Sequence, residues 1–190
     1  MIRIHNNRDG VRELVIDRPP VNAFSIGLLK QLTAALHEAG SDPAVRCILL
    51  RADGRGFAAG GDVKEVEELE AFEGILGQSE WSCNVSLALI DCPVPVVCAV
   101  QGYCIGVGAL IAASADIVIA AADTRFVFAE VDNGATTGGA HALRLMPEKR
   151  ARAAMMTAEP IMGEELLHYG SVLRIVEPGG GTRDVSVAKA

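Results

Sequence analysis

Two glycine-rich turns, Ala59-Gly60-Gly61-Asp62 and Gly102-Tyr103-Cys104-Ile105-Gly106-Val107-Gly108, are the parts of this chain best suited to chemistry. Each follows a β-prone run and opens a segment of helical spacing, so its backbone N–H groups are free to point at an anion. Two such turns facing one another would bring two donors onto one oxygen, as an enolate or tetrahedral oxyanion needs. Spacing alone also allows a tight connection or a phosphate cradle. Neither turn is a G-x-G-x-x-G followed by a suitable acid, nor a Walker sequence ending in Gly-Lys-Ser/Thr, so a nucleotide cofactor is weakly supported.

Three side chains are candidates for proton transfer. Glu130 closes the run Phe126 to Glu130; a carboxylate there is either an acid/base or a solvated strand end. Asp132 lies two residues on and, in an extended segment, points the same way as Glu130; its alternative is an exposed loop acid. His141 titrates near neutrality and could act on a substrate, or it packs against the core at a helix start. The five cysteines (Cys47, Cys83, Cys92, Cys98, Cys104) form no C-x-x-C pair. Buried free thiols in a reducing compartment are expected, with no metal site.

The elements that position these residues follow a repeating plan. Val11 to Asp17 and Arg46 to Arg51 are β-prone, and between them Ser25 to Ala39 has apolar residues at helical spacing, with Ser25 as N-cap and Gly40 as the C′ stop. Strand, helix, strand in that span is the signature of a crossover in an α/β sheet. An acidic helical stretch starts at Asp62. Then come a strand over residues 94–100, the second glycine-rich turn, a small-residue helix and a strand over 116–120. Helices are expected over 147–159 and 163–169, the second stopped by Gly170, and a last strand over 171–176. This gives one domain over residues 1–176 and a loose glycine-rich tail over 177–190.

Composition excludes several classes of function. The chain has 190 residues, half of them apolar, enough to bury a core without disulfides or metal. Lys and Arg number 17 against 24 Asp and Glu, for a net charge of -7, the wrong balance for a nucleic-acid partner. The N-terminus has no apolar run followed by a small-residue cleavage site, so a cytoplasmic location is expected. Residues 93–122 are apolar, but Pro93, Pro95, Gln101, Gly102, Gly106, Gly108 and Asp116 interrupt them too often for a membrane span.

Five segments in order carry a family resemblance: Arg18 to Ala23, Gly56 to Glu65, Pro95 to Gly108, Ala115 to Ala120 and Phe126 to Val131. In order and spacing, over residues from about 10 to 176, the sequence resembles the crotonase (enoyl-CoA hydratase/isomerase) superfamily. The resemblance implies an α/β fold of the crotonase-like ββα-superhelix type, its C-terminal helical part short or missing. It implies an acyl-CoA thioester substrate, no cofactor beyond the coenzyme A of that substrate, and a homotrimer or dimer of trimers.

By that resemblance the oxyanion donors are the backbone N–H groups of Gly61 and Val107. Ala59, Asp62, Val63 and Lys64 match the segment lying along the acyl-CoA, and Val21 and Ala23 match the part that lines its pantetheine and adenine end. Lys64 reads equally as a solvated first turn of a helix. Hydratases of the family hold one water between two glutamates. Here the first position, counted back from Asp116, is Leu110 between the equally inert Ala109 and Ile111; the second is Glu130. One carboxylate can still take a proton from one carbon and return it to another, and the apolar Leu110 should raise the Glu130 pKa. A one-glutamate enoyl-CoA isomerase or hydratase-like lyase is the first expectation. A C–C bond hydrolase of a cyclic, steroid-ring-derived β-diketone CoA thioester is the second, suggested by the segments Gly134 to Gly139 and His168 to Val172. A catalytically degenerate acyl-CoA-binding scaffold is the third.

Overall fold

A computed structural model describes residues 1–6, 9–69, 71–134 and 138–178. The chain starts with β1 (Ile2–Asn6) antiparallel to β2 (Val11–Ile16), Ile2 opposite Ile16 and Asn6 opposite Arg12. Ser25 then caps α1 (Ile26–Ser41), its Oγ accepting from the Leu28 N–H at 3.1 Å. The helix does not end at Gly40 as its spacing suggests; it continues to Ser41, and Asp42 is the C-cap. Gly40 serves packing instead, because a Cβ there would stand 2.9 Å from Pro93 Cδ.

Strand β3 (Cys47–Ala52) lies parallel to β2, Val11 opposite Cys47. The acidic stretch after it divides into α2 (Val63–Glu68) and α3 (Ala71–Ile90), followed by β4 (Val96–Val100). Then come β5 (Tyr103–Ile105), α4 (Val107–Ser114), β6 (Ile117–Ala121) and β7 (Arg125–Val127). A single 3-10 turn (Val131–Asn133) leads toward α5 (Gly139–Leu145) and α6 (Glu148–Thr157). The described chain ends through β8 (Ile161–Met162), α7 (Gly163–Tyr169) and β9 (Arg174–Val176). Gly170 stops α7 in the left-handed region, as expected. The last strand is shorter than expected because the Ser171 and Val172 N–H groups donate back to Leu166 O of α7, at 3.0 and 3.2 Å, so bonding to β6 begins only with the Leu173 N–H to Val118 O at 2.8 Å.

The larger sheet has the order β1-β2-β3-β4-β6-β9, parallel throughout except for the β1/β2 pair. The smaller has the order β5-β7-β8, and isolated bridges carry its pairing on through Ala58 opposite Cys104 and Gly61 opposite Phe24. Each repeat therefore passes from a large-sheet strand to a short segment of the second layer and then to a helix. This is the ββα superhelix that the family resemblance implied. Alternation along the large sheet puts Ile48, Leu50, Val96, Cys98 and Val118 in the main core with the helices, and Leu49, Val97, Ala99 and Ile119 in a smaller cluster on the other face. The apolar run over 93–122 resolves into strand, turn, helix and strand, and no helix among the described residues is long and apolar enough to cross a membrane.

Candidate functional site

The turn after β3 pairs on both of its sides. Toward β5, the Ala58 N–H donates to Tyr103 O at 3.2 Å and the Ile105 N–H to Ala58 O at 2.9 Å. Toward the start of α1, the Phe24 N–H donates to Gly60 O at 2.8 Å and the Asp62 N–H to Phe24 O at 2.9 Å. These two bonds flank Gly61, and in a parallel pairing the residue between them turns its own N–H to the opposite side. Gly61 thus directs its N–H away from Phe24, on the side where it lines a cavity.

The second turn reaches the same cavity through Gly106. Its φ of 50° and ψ of -120° are a conformation that side chains resist and glycine adopts. From there its N–H donates to Val127 O at 2.8 Å, and its carbonyl accepts from the Leu110 N–H at 3.0 Å, starting α4. The Val107 N–H is in the first turn of that helix and has no acceptor within it. Gly108 seats the helix on the other turn, since a Cβ there would lie 2.8 Å from Ala58 Cβ.

The cavity between the turns measures about 300 Å³, and Gly61, Val107 and Glu130 all line it, with Ala59, Val63 and Leu110. Glu130 follows β7, and its Oε1 stands 3.5 Å from where a Gly106 Cβ would be. Its Oε2 is buried with no hydrogen-bond partner among the described residues. Burial pushes the Glu130 carboxyl above the ordinary carboxylate range, against a smaller opposing pull from its own backbone N–H. Leu110, 3% exposed, supplies an apolar part of the same cavity wall.

The other expected site residues are placed differently. Glu130 has helical rather than extended backbone (φ -61°, ψ -39°) and leads into the 3-10 turn. The period-two argument therefore fails for Asp132, which is exposed and does not line the cavity. The Asp62 carboxylate belongs to the framework: it caps α2, accepting from the Glu65 N–H at 3.4 Å, and pairs with Arg18 at 2.5 Å. Burial opposes its ionisation, but Arg18 and the Glu65 and Lys64 N–H groups outweigh burial and hold its carboxyl below the usual value. Lys64 is exposed and away from the cavity wall. Val21 and Ala23 brace the turn through their carbonyls, which accept from the Ala59 N–H at 3.1 Å and Arg18 Nη1 at 2.6 Å.

His141 is half-buried on α5 and does not line the cavity. Its Nδ1 has no partner among the described residues, and burial, then the charge of Arg144, push its pKa below the ordinary value. Residues 135–137 of the segment Gly134 to Gly139 and residues 179–190 of the expected tail lie outside the described residues. All five cysteines are unpaired, and Cys83 is exposed rather than buried. No group of three or more His, Cys, Asp or Glu side chains placed to hold a metal occurs among the described residues.

Three cavity residues had no motif to announce them. Gln78, Ser79 and Ser82 line the cavity from α3, in one stripe with Ile75. Their spacing from Ile75, at three, four and seven residues along α3, is the available sequence signal. Gln78 Oε1 lies 3.3 Å from where a Gly61 Cβ would be.

Residues 6–179 match the family model described as Enoyl-CoA hydratase/isomerase. The chain is similar to a (7aS)-7a-methyl-1,5-dioxo-2,3,5,6,7,7a-hexahydro-1H-indene-carboxyl-CoA hydrolase of Rhodococcus jostii, 36% identical over 168 residues, which cover 88% of this chain and 65% of that protein. It is also similar to a trans-2-decenoyl acyl-carrier-protein isomerase of Streptococcus mutans, 34% identical over 182 residues, covering 92% and 69% of the two chains. Among solved structures, an enoyl-CoA hydratase of Mycobacterium smegmatis superposes with a TM-score of 0.88 at 29% identity, covering 93% of this chain and 70% of that one.

Proposed function

We propose that this chain, which belongs to the enoyl-CoA hydratase/isomerase (crotonase) family, moves a proton along the acyl chain of an acyl-CoA thioester, as an enoyl-CoA isomerase does. The observation that carries this reading is one buried carboxylate, Glu130, in a cavity whose other candidate acid position is Leu110. The thioester carbonyl oxygen lies between the N–H groups of Gly61 and Val107. The Glu130 carboxylate takes a proton from C2 of a 3-enoyl thioester. The electron pair of that C–H bond delocalises onto the carbonyl oxygen, where the two donors stabilise it. Glu130 then returns the proton to C4, the double bond settles between C2 and C3, and the carboxylate is regenerated.

The test is incubation with trans-3-hexenoyl-CoA, following the conjugated 2-enoyl product by ultraviolet absorption. In parallel, exchange of the C2 protons of hexanoyl-CoA with D2O is followed by NMR. If the intact protein gives neither isomerisation nor exchange, the reading is wrong.

A second reading is hydrolysis of a C–C bond in a cyclic β-diketone CoA thioester, and the likeness to the Rhodococcus jostii hydrolase favours it. It uses the same enolate between Gly61 and Val107, with Glu130 activating the attacking water. Ring opening of a 2-oxocyclohexane-type carboxyl-CoA, with uptake of one water by mass, separates the two readings.

A further inference from the structure

Helical hydroxyls in this chain turn back on their own helix. Thr33 donates to Leu29 O, Ser86 to Ser82 O, Ser114 to Leu110 O and Thr157 to Ala153 O, each at 2.8 to 2.9 Å. Ser79 and Ser82 of α3 depart from that habit. Among the described residues neither hydroxyl turns back on a helix carbonyl as those four do, and both residues line the cavity. Each hydroxyl opens on the cavity with its donor and its lone pairs free, so a ligand oxygen that enters can bond to it.

Gln78, on the same stripe, has a fixed orientation. Its Nε2 donates to Phe24 O at 2.9 Å and to Glu65 Oε2 at 3.2 Å. The flipped amide would set its oxygen against two acceptors, so Oε1 is held on the Gly61 side. The wall thus presents an acceptor beside Gly61, and hydroxyls that extend to Ser82, about 6 Å further along the helix at 1.5 Å per residue. Leu110, Val66 and Ile75 add apolar surface, and Glu130 and Asn133 are the other polar side chains of the lining.

We infer that this α3 wall selects an acyl group bearing an oxygen, oxo or hydroxyl, several carbons beyond the thioester, the oxygen bonding to Ser79 and Ser82. The inference rests on the acyl-CoA reading above and names its substrate class: an oxygenated acyl thioester rather than a plain hydrocarbon one. A reach of about 6 Å from the Gly61 end corresponds to an oxygen near the fifth acyl carbon.

Calorimetry on the full chain, with hexanoyl-CoA, 5-oxohexanoyl-CoA and 5-hydroxyhexanoyl-CoA, tests it. The oxygenated thioesters should bind at least about tenfold more tightly than hexanoyl-CoA, and that ratio should fall toward one in Ser82→Ala. Ser79→Ala, at a half-buried position that tolerates the loss of a hydroxyl, should lower the ratio as well. A wild-type ratio near one overturns the inference and leaves the acyl-CoA reading standing. A ratio unchanged in both variants also overturns it. If none of the three thioesters binds, the inference and the acyl-CoA reading fall together.

Discussion

Gly108 and Ala58 touch where the two glycine-rich turns meet: a Cβ on Gly108 would come within 2.8 Å of Ala58 Cβ. This contact sets how far the first turn of α4 stands from the turn that carries Gly61. Gly108→Ala should push the two apart by a fraction of an ångström to an ångström. Displacement on that scale costs about 100-fold in rate when two donors must converge on one atom. The expected result is a fall in kcat for 3-enoyl-CoA isomerisation of that order with a smaller change in KM, measured by steady-state kinetics. A variant with unchanged kcat would show that the spacing of the turns does not govern the reaction.

Glu130→Gln removes the only acid among the described residues lining the cavity. Isomerisation should fall by about 10² to 10⁴, the usual contribution of a positioned acid/base, while calorimetric binding of hexanoyl-CoA persists.

The same carboxylate makes a stability prediction. Its pKa is raised by burial in the folded state, so the folded protein holds the proton more tightly than the unfolded chain. Stability at Glu130 is therefore fully present below the unfolded value of 4.5 and is lost as pH rises through the folded pKa. Denaturant midpoints should show Glu130→Gln gaining on the parent across that window and staying level above it. In the parent, kcat/KM should rise through one ionisation with its midpoint above 4.5. A midpoint at or below that value would contradict the buried placement.

Asp62 joins the helix cap of α2 to Arg18 across the base of the Gly61 turn. Asp62→Ala should cost about 1 to 2 kcal/mol, most of it from the lost cap, because the partly exposed ion pair adds little. Chemical denaturation gives the figure. Activity should fall with it through loosening of Gly61, which a substitution of the exposed Lys64 to Ala should not reproduce. Equal loss in both variants would place the effect in the substrate rather than the framework.

Leu110→Glu puts a second carboxylate into the cavity wall at a position 3% exposed. Burying that group should destabilise the fold by roughly 1 to 3 kcal/mol. When both acids are ionised they repel, so the acidic limb of the kcat/KM profile should move to higher pH than in the parent. An unmoved limb would mean that residue 110 does not share the field of Glu130.

The elements read most easily from the sequence are those whose reasons are local. Ser25 before an apolar 3.6-residue spacing specifies the start of α1, and Gly170 specifies the end of α7, because capping involves only neighbouring backbone groups. Gly40 misled for the complementary reason: its partner, Pro93, is distant in the chain, and a glycine needed for close approach looks the same as one needed for a left-handed stop. Asp132 misled because the path of the chain after β7 depends on the 3-10 turn rather than on any pattern in its residues.

For the site, the sequence alone determined that two glycine-rich turns precede helices, that an acid follows the later strand, and that residue 110 is apolar. These are statements about residue type and order. Only the tertiary structure decided that Gly61, Val107 and Glu130 line one cavity, that Asp62 belongs to the framework, and that Gln78, Ser79 and Ser82 of α3 line the same cavity. Which N–H groups remain unpaired depends on the pairings made by distant segments, Phe24 with Gly61 and Ala58 with Cys104. Hydrogen-bond partners chosen across such separations are fixed only when the whole superhelix closes.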